Sequence, residues 1–80
     1  MIASSQIRSA RHALRWSVSE LAELSGVSTS TIKRVEATDL EPKSTRANMA
    51  ALQSAFEAAG IEFIGTPDNG PGIRLYHRKD

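Results

Sequence analysis

Apolar side chains along this chain fall into four runs at helical spacing, followed by two short alternating runs. Ile7, Ala10, Arg11 and Leu14 share one face, which predicts a first helix over about residues 4–15. After Trp16, "SVSE" sets Ser17 three positions before Glu20. That spacing is a capping box, in which each side chain accepts the other residue's backbone amide. A second helix is predicted from about Val18 to Ser25, with Val18, Leu21 and Ala22 turned inward. Gly26 is suited to the left-handed residue that ends it. Ser28 caps a third helix anchored by Ile32 and Val35. "TDLEPK" breaks the pattern, because Pro42 disfavours helix at Glu41. A fourth helix follows over about Thr45–Ala59, with Met49, Leu52, Ala55, Phe56 and Ala59 on one stripe and Gly60 after its end. "IEFI" and "GIRLY", around a Gly/Pro/Asn loop, predict strands Ile61–Ile64 and Ile73–Tyr76.

The expected fold is therefore mainly α, about four helices and then a short C-terminal β-hairpin. Residues 1–5 read as a flexible N-terminus, 6–60 as the helical unit, 61–76 as the strand pair and 77–80 as a tail. A lone two-stranded hairpin is marginal in water, so this one must cover the helices, a second chain, or both.

The third helix opens unusually. Ser28, Thr29, Ser30 and Thr31 are mediocre helix formers, and Lys33 and Arg34 follow within a turn. Two short helices joined by a glycine-containing turn form a helix-turn-helix, whose second helix enters the major groove of DNA. In that setting short hydroxyl side chains let the backbone approach, donate to phosphates or base edges, and offer a methyl to thymine. Ala22 is small because the next helix lies close above it.

Composition and charge narrow the possibilities. A chain of 80 residues, 40% hydrophobic and without cysteine, makes one small core with neither disulfides nor thiolate zinc ligands. No apolar run reaches the roughly 20 residues of a membrane span, so a soluble, cytoplasmic protein is expected. The net charge of +1 conceals segregation: Arg8, Arg11 and Arg15 meet no acid before residue 20, whereas residues 20–42 hold five acids against Lys33 and Arg34. Clustered basic charge suits a polyanion, although solvated helix faces account for it equally well. His12 and His77 lie in different elements with no carboxylate or thiol at ligand spacing. No metal, cofactor or enzymatic activity is expected.

The stretch "IRSARHALRWSVSELAELSGVSTSTIKRVE" resembles the Xre family of bacterial and phage regulators, the Cro/C1-repressor type of helix-turn-helix. The similarity covers about residues 6–60. It rests on Arg11 in the first helix, "S-x-x-E-L-A" opening the second, the "G-V-S" turn, and "I-x-x-V-E" closing the third. The resemblance implies a lambda-repressor-like domain that binds double-stranded DNA and represses transcription, with helix 29–36 in the major groove. Thr29, Ser30 and Arg34 match usual base readers, with Lys33 nearby. Arg11 and Glu36 match a buried structural ion pair. Phosphate contacts are expected from Arg8, Ser17, Val18, Ser19, Ser28, Thr31, Lys43 and Arg46, which flank the recognition helix in this fold. Val18 stands where the family commonly has a phosphate-clamping glutamine, and strands replace the usual fifth helix. The protein is expected to be a homodimer on a palindromic operator, with Ile61, Phe63, Ile73, Leu75 and Tyr76 contacting the second copy. A protein-binding adaptor or an antitoxin, built on the same helices, is the competing expectation.

Overall fold

The structure, a computed structural model, describes residues 2–37, 44–66 and 68–76. The Pro42 break, Lys43 and the 77–80 tail lie outside the described residues. Among the described residues there are four helices: α1 (Ser4–Ala13), α2 (Val18–Ser25), α3 (Thr29–Glu36) and α4 (Arg46–Ala58). An antiparallel hairpin follows, β1 (Ile61–Thr66) and β2 (Asn69–Leu75). No helix among the described residues is long and apolar enough to cross a membrane.

The caps fall where the hydroxyl residues stand. Ser17 Oγ accepts from the Glu20 amide at 3.0 Å and Glu20 Oε1 from the Ser17 amide at 3.1 Å, completing the capping box of α2. Ser28 caps α3 through the Thr31 amide, and Thr45 caps α4 through the Asn48 amide. Gly26 ends α2 at φ 77°, left-handed backbone that glycine adopts without steric penalty. The end of α1 is less expected. The Trp16 amide bonds Arg11 O at 3.0 Å and the Arg15 amide bonds His12 O at 3.1 Å, a Schellman pattern with Arg15 at φ 58° in the position that glycine usually fills.

Ile7, Leu21, Ile32, Val35, Leu52 and Phe56 are fully buried and make the centre of the core. Phe56 ties its layers together: Trp16 stacks on it with ring centroids 5.6 Å apart, and Phe63 meets it edge-on at 5.9 Å. β1 packs on α4 and β2 on α1. The register pairs Ile61 with Leu75 and Phe63 with Ile73, while Glu62 pairs with Arg74. Because side chains alternate along a strand, the first four face the helices and the last two face outward. Both strands run longer than the apolar pattern predicts. A bulge at Gly65, φ 77°, carries the pairing on to Thr66 and Asn69, and a Cβ at residue 65 would run into the Gly70 carbonyl.

The hairpin serves as a lid on this chain's own helices. Ile61 is 3% exposed and belongs to this chain's own core, and Phe63, Ile73 and Leu75 pack against that core. Of the five expected contacts only Tyr76 is exposed, and its hydroxyl donates to Glu62 Oε1 at 2.8 Å.

A buried amide holds the lid down. Gln6, 2% exposed, accepts from the Ala3 amide through Oε1 at 2.7 Å. Its Nε2 donates to Ile64 O and Gly72 O, each at 2.9 Å. One side chain thus completes the first turn of α1 and fastens both strands to it.

Candidate nucleic-acid interface

Helix α3 has two faces of opposite character. Ile32 and Val35 are fully buried, while Thr29, Ser30, Lys33 and Arg34 are exposed. Lys33 follows Ser30 by three positions and Thr29 by four, and Arg34 follows Ser30 by four, so the exposed four form one continuous patch. Short groups stand at its N-terminal end and cations a turn later. The hydroxyls are linked to one another. Ser28 Oγ donates to Thr31 Oγ1 at 2.9 Å and lies 3.3 Å from Ser30 Oγ, and Arg34 Nη2 reaches back to Thr31 Oγ1 at 3.4 Å. Thr31 is partly buried, so it serves this internal chain, whereas Ser28 stays exposed at the cap.

The C-terminal end of α3 is clamped from α1. Arg11 makes a two-pronged ion pair with Glu36, Nε to Oε2 and Nη2 to Oε1, both at 2.8 Å. The side chains are only 16% and 10% exposed, so the pair is largely withdrawn from water. The Glu36 hydrogen bond holds the Arg11 pKa above its ordinary value, and burial, which pulls the other way, does not cancel it. Arg11 Nη1 also donates to Trp16 O at 3.1 Å, fixing the corner between α1 and α2. Arg8 Nη1 donates to Glu36 O at the end of α3. A cation there satisfies a terminal carbonyl and complements the helix dipole. Arg8, expected from sequence on phosphate, is thus engaged in holding α3 in place.

The turn between α2 and α3 is held as firmly. Ser25 Oγ donates to Leu21 O at 2.7 Å and accepts from the Val27 amide at 3.2 Å. Val27 is buried beneath it. At the start of α2, Ser17 and Ser19 are exposed, while the Val18 side chain packs against the core and leaves only its backbone for contact. Arg46 is exposed at the first position of α4. Lys43 lies outside the described residues.

Arg15 was not singled out by sequence reasoning. It is an exposed cation at the corner just before Ser17, held in left-handed backbone. The signal available was the absence of any Gly or Asn between Leu14 and Ser17, where a helix end needs a left-handed residue. Among the described residues no three His, Cys, Asp or Glu side chains gather at ligand distance. No family model, curated protein or solved structure matches this chain.

Proposed function

We propose that this protein is a sequence-specific double-stranded DNA-binding regulator of the lambda-repressor-like helix-turn-helix type, acting as a repressor. Helix α3 enters the major groove with Thr29, Ser30, Lys33 and Arg34 toward base edges. The observation that carries the reading is the clamped, two-faced α3. Its polar, cation-bearing side is free, its apolar side is fully buried, and its far end is pinned by Arg8 and Arg11. Base readout requires such a rigid mount, because a donor displaced by an ångström no longer meets its acceptor. Ser17, Ser19, Ser28, Lys43 and Arg46 supply phosphate contacts, and Arg15 joins them at the corner. Arg34, with a planar fork of donors, is the reader of a guanine.

One α3 reads only a few base pairs. The protein therefore works as a homodimer on a palindrome, with recognition helices about 34 Å apart in successive major grooves. Selection of bound sites from a random DNA pool tests the whole reading. The expected result is a palindromic motif whose affinity falls steeply with salt, the slope flattening by about one unit for each phosphate-contacting cation removed. Arg34→Ala should weaken binding to the selected site by roughly 1–3 kcal/mol and relax preference at one base pair. A pool that yields no motif, or binding indifferent to salt, refutes it and leaves the protein-adaptor reading.

A further inference from the structure

Leu24 is out of place for a solvated helix. It is 60% exposed on α2, and the only other exposed large apolar side chains among the described residues are Ile64 and Tyr76. Leu24 is also not isolated. With Trp16, Ala55, Ala58 and Ala59 it lines a shallow groove of about 280 Å³ between α2 and the C-terminal half of α4. None of these residues belongs to the polar face of α3. The alanines form a low floor that offers no large side chains of its own, so large side chains must come from whatever fills the groove.

On the two helical stretches that flank the groove the charge has one sign, while Arg15 stands beside Trp16 at the corner. Glu20 lies four positions before Leu24 on α2, and Glu23 is its neighbour. Glu57 adjoins Ala58 on α4. Glu20 accepts from the Ser17 amide and Glu57 from the Gln53 amide group, but none of the three carboxylates has a cationic partner among the described residues. Helix α2 has no cation. The one on α4, Arg46, stands at the opposite end, roughly 14–18 Å along the axis from the groove alanines.

We propose that this groove docks a helical segment of a partner protein, one with an apolar ridge flanked by lysine or arginine side chains. An amphipathic helix in an apolar groove is a common mode of peptide recognition, and the three carboxylates select the charge of its flanks. A second copy of this chain does not fit. A symmetric groove-to-groove contact would set the three carboxylates of each copy against those of the other. A small molecule fits poorly as well, since a site for one encloses most of its ligand and this groove is open. Leu24, Ala55, Ala58 and Ala59 are not among the proposed DNA contacts, so docking there can be tested separately from DNA binding.

The full chain and three synthetic helical peptides of equal length test the proposal. One carries leucines at i, i+4 and i+7 with lysine flanks; the second has glutamate flanks; the third keeps the lysines but replaces the leucines with glutamine. Trp16, the only tryptophan, lines the groove and serves as the fluorescent reporter, while amide shifts locate the site. The lysine–leucine peptide should change Trp16 emission and shift Leu24, Ala55 and Ala58, and the other two should bind at least about tenfold more weakly. Leu24→Glu and, separately, Ala58→Lys should each weaken that binding about tenfold or more while leaving DNA affinity unchanged. Both positions are exposed, so neither variant is expected to unfold the chain. Equal binding of the two lysine peptides would reduce the site to non-specific charge attraction and overturn the proposal. So would amide shifts confined to other elements, or a wild-type dimer that Leu24→Glu converts to monomer. Loss of DNA binding by the wild-type protein bears only on the proposed regulator function.

Discussion

Gln6→Met removes the amide that fastens the hairpin while keeping the length and flexibility of the side chain. Three hydrogen bonds disappear, from the Ala3 amide and to the carbonyls of Ile64 and Gly72. The first is buried, so its donor is stranded, and an unsatisfied buried group costs about 1–3 kcal/mol. The two carbonyl bonds are only part-buried, and water can replace the amide in part, so each contributes about 0.5–1 kcal/mol. Methionine recovers some apolar burial in exchange. The net expectation is a loss of roughly 2–4 kcal/mol, a large fraction of the 4–12 kcal/mol typical of a domain this size. Urea unfolding followed by circular dichroism measures it, and the midpoint should fall with little change in slope. Amide exchange should quicken in β1 and β2 more than in α2 and α3, because the amide joins the hairpin to α1 and touches neither of those helices. A variant within about 0.5 kcal/mol of wild type, which is the scatter of an ordinary surface substitution, would refute the role given to Gln6.

Arg11→Ala strands the Glu36 carboxylate. It should destabilise the chain by about 3 kcal/mol, somewhat below a fully buried pair because both side chains retain some exposure; a variant that melts like wild type but no longer binds DNA would make the pair functional instead. Arg15→Gly relieves left-handed backbone and should raise stability by about 0.5–1 kcal/mol in thermal melts, with any fall in DNA affinity reporting the lost cation. Removing residues after Gly60 takes away Ile61, Phe63 and both carbonyl acceptors of Gln6. Circular dichroism should show an unfolded chain, and a folded monomer would mean that the helices need no lid.

The parts of this fold that depend on near neighbours were legible in the sequence. Ser17 and Glu20, Gly26, and Ser28 before Ile32 each act within one turn, so spacing alone identifies what they do. The strands were legible as alternating apolar runs, but their ends were not, because the Gly65 bulge extends pairing through residues with no apolar pattern. Gln6 was invisible for a different reason. A glutamine in the first turn of a helix reads as solvated, and its acceptors lie 58 and 66 positions away. The structural role of Arg8 was hidden by the same locality. A cation on a basic helix suggests phosphate, whereas Arg8 Nη1 donates to a carbonyl at the end of α3. On the candidate interface, the exposure of Thr29, Ser30, Lys33 and Arg34 follows from the 3.6-residue period once Ile32 and Val35 are inside. The hydroxyl chain from Ser28 to Arg34 depends on rotamers that no spacing specifies.

The bond from Gln6 to Gly72 also constrains when the chain can fold. Helical proteins usually fold fast because their contacts are local, but here the first helix is completed by the last strand, 66 positions later. Until residues 61–76 are made, Phe56 lacks the edge contact of Phe63 and the Gln6 amide nitrogen lacks its strand carbonyls. At roughly 5–20 residues per second, making residues 61–76 takes about one to three seconds, far longer than a helix needs to form. For that interval the chain lacks its lid and, like the truncation after Gly60, is expected to stay unfolded, with exposed apolar surface of the kind chaperones bind. A pause in translation before Ile73 would prolong that state.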